Sequence, residues 1–280
     1  MAQRSRRGWI IPAVTYAGLA IGLIYASFPV LWMFFSSIKS NTEIFSLPPR
    51  LFPKEFTMKA YRAIFGNPAK VRFFLNSYLV ASVVTLLTLF VAILSGYGFS
   101  RFSFKLKKPL NLFIISTQTV PPITLLIPYF GLVVAIKMYD TYFALIFTYM
   151  VFTLPYAILM MTGYFNTLPK ELDEAVMVDG GSSFFALRRV LVPISIPGIV
   201  ATGVYTFLLA WNEFLFALTL TKTTAMRTVP IGIQQLMGQH AYEWNEMMAM
   251  SMLGSLPILI MYLVAQRYFL AGMTAGSVKS

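Results

Sequence analysis

FFLNSYLVASVVTLLTLFVAILSGYGFS, residues 73–100, carries no charged side chain and is framed by Arg72 and Arg101. A helix over this stretch is ~40 Å long at 1.5 Å per residue, and about 20 apolar residues suffice to cross a hydrocarbon core of ~30 Å. A helix apolar on every face is a membrane span or the core of a large protein. The same pattern recurs along the chain. Uncharged runs cover residues 8–38, 109–136, 141–169, 190–212 and 247–266. The reading is therefore an all-α membrane protein with six transmembrane helices, at about 10–37, 73–100, 109–136, 141–166, 194–220 and 246–268, in one domain over residues 1–280.

Composition supports that reading. Of the 280 residues 58% are hydrophobic and 11% charged, and the mean hydropathy is +0.71, whereas soluble domains carry about 25% charged residues. The net charge of +12 does not point to nucleic acid, because no basic run is interleaved with stacking aromatics. It fits Lys and Arg at membrane edges, facing anionic headgroups of the lipid bilayer. There are no cysteines and one histidine, His240, so no metal site is expected. Arg4, Arg6 and Arg7 precede an apolar run too long for a signal-peptide core, so the run reads as an uncleaved first helix.

An even number of spans places both termini on one side. With the N-terminus inside, twelve of the 22 Lys and Arg residues fall on inner segments, a small bias. The cluster Arg101, Lys105, Lys107, Lys108 and the Arg-rich N-terminus favour cytoplasmic N- and C-termini, since short flanking loops weigh most. The long loop at residues 38–72, rich in Pro and aromatics, has the look of an ordered cap.

The segment between the fourth and fifth spans, residues 168–193, differs from the other loops. Thr167 can cap a short helix with Pro169 in its first turn, and Glu171, Asp173 and Glu174 complement the positive end of the helix dipole. Leu172, Ala175 and Val176 form a narrow apolar stripe. Gly180 and Gly181 end the helix, Ser182 or Ser183 can cap the next one, and Pro193 and Pro197 flank the entry to the fifth span. Such a helix suits a groove on a partner protein. The alternative is a helix lying in the lipid interface, which its acidic first turn disfavours.

The pattern Glu174-Ala175-Val176-x-x-Asp179-Gly180-Gly181, followed by Val190-Leu191-Val192-Pro193 and Pro197, resembles the EAA motif of permeases in ATP-binding-cassette importers. It looks most like the type I carbohydrate-uptake family that includes the maltose permease pair. Trp211-Asn212-Glu213-Phe214 resembles that family's fifth-helix pattern. Gly272 to Ser280 resembles its Gly-Leu-Thr-x-Gly-x-Val-Lys-Gly tail. Three positions depart: Val176 and Gly181 stand where the family usually has Ala, and Ser280 where it has Gly. The bulkier Val176 is expected to alter the fit to a partner and Gly181 to loosen the turn.

The resemblance implies a type I importer transmembrane domain in a bacterial or archaeal cytoplasmic membrane. Its implied partners are a second permease subunit (a heterodimer), two ATP-binding-cassette ATPase subunits and an extracytoplasmic solute-binding protein. It also implies that Glu174, Ala175, Asp179, Gly180 and Pro193 couple to an ATPase. Within the tail of residues 270–280, Thr274, Gly276 and Lys279 are implied to reach between the ATPase subunits.

No phosphate-binding loop occurs, and nowhere does Lys follow Gly. No catalytic residue and no cofactor are expected in this chain; ATP and Mg would be bound by the partner ATPases. Asn76, Gln118, Asn212 and Glu213 are candidates for the translocation pathway. For each the alternative is helix–helix glue, and Glu213, near the outer end of its span, could also snorkel or pair. Pro121, Pro122 and Pro128 predict a broken third helix. An ion-coupled secondary transporter is the alternative function, but that class uses ionisable residues near the midplane. Glu213 lies off-centre. An intramembrane enzyme would want a His or metal ligands within a span, which the sequence does not offer.

Overall fold

The structure, a computed structural model, describes residues 3–237 and 243–275, with side chains described for 11–237 and 243–268. His240 lies outside the described residues. The regular elements are helices: α1 Gln3–Ser37, α2 Asn41–Ile44, α3 Lys59–Phe65, α4 Pro68–Arg101, α5 Lys107–Thr117, α6 Leu126–Ala135, α7 Tyr142–Thr167, α8 Glu171–Val178, α9 Ser183–Ala186, α10 Val192–Ile194, α11 Ile196–Trp211, α12 Leu215–Leu220, α13 Val229–Gln235 and α14 Trp244–Ala275. A 3-10 turn, Pro122–Leu125, precedes α6, and a π turn, Leu187–Leu191, joins α9 to α10.

Four helices are long and apolar enough to cross a membrane unaided: α1, α4, α7 and α14. Two further crossings are bent pairs, Lys107–Thr117 with Pro122–Ala135 at 92° and Ser183–Ile194 with Ile196–Trp211 at 78°. Counting each pair as one crossing gives six. The first bend falls where Pro121 and Pro122 remove backbone donors. There the Thr119 hydroxyl donates to Ser116 O and the Thr124 hydroxyl to Pro121 O, both at 2.7 Å.

Residues 194–220 are not one continuous helix. Ser195 separates α10 from α11, and residues 212–214 separate α11 from α12. At the second break the Glu213 carboxylate accepts from the Phe216 and Ala217 backbone N–H groups at 2.8 and 2.9 Å. A side chain thus satisfies the first donors of α12.

The chain divides into two compact units, Met1–Pro68 with Ile233–Leu256 and Ala69–Gly232 with Pro257–Ser280. In the first, the loop after α1 is held by specific bonds. Thr57 N–H donates to Ile38 O at 3.0 Å, Ser37 Oγ and Tyr61 Oη lie 2.8 Å apart, and Asn41 donates to Glu243 at 2.9 Å. Lys39 is buried, donating to Arg50 O with its ammonium 5.3 Å from the Trp32 ring.

In the second unit α4, α7 and α11 pack through two apolar clusters. One gathers Val84, Leu145, Tyr149, Trp211 and Phe216; the other Tyr97, Met161, Phe165 and Leu191. Close approach of α4 and α7 depends on Gly96, where an added Cβ would stand 3.0 Å from Met161 C and Thr162 N. Deeper between these helices Thr88 and Thr153 hydroxyls pair at 3.0 Å.

Asp140 fixes the turn before α7. It sits at φ +61°, donates its N–H to Leu220 O, and its carboxylate accepts from Lys222 N–H at 2.8 Å and Thr223 N–H at 3.1 Å. Burial by itself raises its carboxyl pKa, but those backbone donors, the Thr223 hydroxyl and the Lys222 charge outweigh burial and hold it below the usual value. A depressed folded-state value gives stability that is present above the unfolded value of about 3.9 and lost as pH falls through the folded one. Asp140→Asn, which also tolerates positive φ, should lower the thermal unfolding midpoint in detergent at pH 6. The difference from wild type should shrink as pH falls below the unfolded value of about 3.9 and on through the lower folded-state value.

Candidate functional site

The segment after α7 folds as a helix, a sharp turn and a second helix. Thr167 does not cap α8. Its hydroxyl donates to Tyr164 O at 2.7 Å, closing the last turn of α7, and Lys170 heads α8 without a side-chain cap. Gly180 adopts φ +82°, a conformation only glycine takes without strain, and its N–H donates to Met177 O at 3.1 Å. Ser182 then caps α9, accepting from Phe185 N–H.

The turn is tight. Gly181 N–H donates to Val176 O at 2.8 Å, and a Cβ on residue 181 would lie 2.6 Å from Val176 Cγ1 and 2.9 Å from Val176 O. The expectation that Gly181 loosens the turn is corrected: the valine occupies the space that an alanine at 181 would need, so the two departures from the motif fit each other.

The inward face of α8 also differs from the apolar stripe. Leu172 packs on the core and Val176 is half-buried, but Ala175 is exposed and Asp173 is buried instead. The buried carboxylate is paired. Arg101 Nε donates to Asp173 Oδ2 at 2.6 Å, and the two side chains are 7% and 6% exposed. Tyr97 Oη lies 3.1 Å from Asp173 Oδ1 and 3.2 Å from Ser183 O, donating to one or the other. The rest of the guanidinium serves the end of α7, donating to Phe165 O at 3.0 Å and to Leu168 O at 3.1 Å. Beside it Ser100 donates to Asn166 Oδ1 at 2.8 Å.

The outward face is free of such ties. Glu174, Ala175, Asp179, Gly180 and Pro193 are exposed. With them stand apolar side chains that the motif does not single out: Val178 is 86% exposed, Phe184 63% and Phe185 52%. The structure thus leaves each of the motif residues exposed, with Asp173, Tyr97 and Arg101 tying α8 down on its buried side. Sequence reasoning missed that triad, reading Arg101 as a membrane-edge cation and Asp173 as a helix-dipole partner. Of the tail residues, Gly276 and Lys279 lie outside the described residues, and only the backbone of Thr274, in α14, is described.

The pathway candidates do not form a cluster. Asn76 is buried and saturated, donating to Ala225 O and Arg227 O at 2.9 and 2.7 Å and accepting from Tyr142 Oη at 2.7 Å. Gln118 is exposed just past α5. Asn212 is exposed and donates to Leu208 O. Glu213 borders a cavity of about 210 Å³ with Tyr149, Thr153 and Phe216, while both its oxygens serve α12.

The fit of Val176 to Gly181 predicts a non-additive pair. Gly181→Ala should cost about 1–3 kcal/mol by overpacking. In a Val176→Ala background the cost should shrink by about 0.5–1 kcal/mol, read from denaturation midpoints in a double-mutant cycle.

Residues 76–274 match the family described as "Binding-protein-dependent transport system inner membrane component". Among relatives, the sulfoquinovosyl glycerol transport system permease protein SmoH of Agrobacterium fabrum is 34% identical over 94% of this chain and 93% of that protein. The trehalose/maltose transport system permease protein MalG of Thermococcus litoralis is 34% identical over 94% of this chain and 95% of that protein. In fold, the chain resembles one from the crystal structure of a bacterial ABC transporter involved in the import of the acidic polysaccharide alginate. The TM-score is 0.79 at 18% identity, over 96% of this chain and 99% of that one. Its helices, its spans and its matched length agree: the chain belongs to the family of inner membrane components of binding-protein-dependent transport systems.

Proposed function

We propose that this chain is the membrane-spanning subunit of an ATP-driven sugar importer, forming half of the translocation pathway beside a second permease subunit. An extracytoplasmic binding protein delivers the solute, and two ATP-binding-cassette ATPase subunits bind Mg and ATP on the cytoplasmic side. The sugar class is supported by relatives whose names specify trehalose, maltose and a sulfoquinovosyl glycerol.

The observation that carries the reading is the two-faced loop at α8. One face is tied to α4 and α7 by a buried ion pair, and the other presents Glu174 and Val178 to whatever docks there. A short helix with an apolar tip and acidic flank fits a groove on a folded partner. Closure of the ATPase dimer on ATP then displaces α8 and the spans attached to it, a rigid-body transition biased by a ligand on another chain.

Gly180 gives the test its sharpest variant. Proline there cannot reach φ +82° and removes the N–H that meets Met177 O. Gly180→Pro and Glu174→Ala are expected to leave the protein in the membrane but to reduce ATP hydrolysis to its basal rate. The assay adds the binding protein, purified with its solute bound, to the assembled complex. Full stimulation in both variants refutes coupling through this loop.

A further inference from the structure

We propose that Arg101, Tyr97 and Asp173 are positioning residues forming a clamp that makes α8 move as one body with α4 and the end of α7. This rests on the reading that α8 receives force from an ATPase, and it adds how that force reaches the spans.

A short helix on a loop transmits displacement only if its attachment is stiffer than the loop itself. The covalent links to α8 are weak in this respect. On one side stand residues 168–170, and on the other the Gly180–Gly181 turn with no further helix until Ser183. A push on α8 would be absorbed there by rotation of a few dihedrals. The clamp removes that freedom. Its carboxylate is on α8, its guanidinium and phenol are on α4, and the same guanidinium grips carbonyls at Phe165 and Leu168. Three elements therefore meet at one planar cation.

Geometry makes the attachment directional. Arg101 offers a rigid fork of donors, and different nitrogens address α8 and α7 separately. Tyr97, one turn earlier on α4, has the other carboxylate oxygen and the Ser183 carbonyl both within reach and donates its one proton to either. Thus α4 holds Asp173 through Arg101 and one side or the other of the glycine turn through Tyr97. Burial keeps water from competing for these bonds, with both ionic side chains below a tenth exposed. Glu174, the next residue along, is exposed and makes no part of the clamp. Adjacent acids thus take different tasks: Asp173 fastens the helix and Glu174 faces outward.

The assembled transporter provides the test, with this chain, which contains no cysteine, spin-labelled at introduced cysteines and the partner subunits freed of reactive ones. Labels would be placed by Glu171→Cys on α8 and Leu86→Cys on the exposed side of α4. A narrow distance distribution is expected for the unaltered clamp, and a broad one after Asp173→Asn or Tyr97→Phe. In unlabelled complexes the same variants should keep basal ATPase activity and co-purify with the ATPase. Stimulation by solute-loaded binding protein should fall by about fivefold or more, the lower range of measured coupling effects. Arg101→Lys keeps the charge but not the fork, and should restore only part of the stimulation.

The clamp is refuted if Asp173→Asn and Tyr97→Phe keep a narrow distribution and full stimulation while Glu174→Ala has lost it. Reduced yield with unchanged stimulation per complex refutes it equally. If Glu174→Ala and Gly180→Pro are also fully stimulated, the coupling reading itself falls. Should Arg101→Ala fail to insert, the Asp173 and Tyr97 variants carry the decision.

Discussion

A backbone that crosses lipid has no water to satisfy its N–H and C=O groups, and this constraint explains most side-chain placements in the second unit. At several breaks and ends of the spans a side chain bonds the backbone. Around Pro121–Pro122 the hydroxyls of Thr119 and Thr124 add a second donor to Ser116 O and Pro121 O, which also accept backbone N–H groups. At residues 212–214 the Glu213 carboxylate takes two N–H groups. At the end of α7 Arg101 takes the carbonyls of Phe165 and Leu168. Polar residues in these spans thus answer first to the backbone.

Arg101 shows how a structural necessity becomes a mechanical connection. A guanidinium at the end of α4 satisfies the last carbonyls of α7, and its remaining nitrogen is free to take a carboxylate. Removing one member of a buried pair leaves the other uncompensated and costs about 3–5 kcal/mol. The pair therefore ties α8 to α4 at a point where loss of either partner is costly. It also requires the turn on the far side of α8 to be compact. Val176 seated against Gly181 supplies that compactness, with no Cβ at 181 to push the turn open.

The sequence disclosed what depends on neighbours along the chain. Apolar runs reveal spans because lipid demands length, and Pro121–Pro122 reveals a bend because proline lacks a donor. Gly180 reveals a turn because glycine takes positive φ without strain, and the bond geometry agrees. Contacts between distant residues left no such trace. Arg101 and Asp173 lie 72 positions apart, and a cation at the end of a span reads first as a membrane anchor. Asp173 in a first helical turn reads as a dipole partner. Each local reading is sound, and each is overridden by a pairing visible only once α4 and α8 are side by side. The partners of Asn76 are hidden in the same way, since Ala225 and Arg227 lie about 150 positions on.

These commitments bear on solute handling. A sugar is held by hydrogen bonds to side chains with spare capacity, and a buried group already paired gives up its bond only at a cost of about 1–3 kcal/mol. Asn76 has both its amide nitrogen and its oxygen engaged, and Thr88 and Thr153 engage each other. Glu213 has both oxygens on the backbone of α12. These four residues therefore have little hydrogen-bonding capacity left to offer a solute.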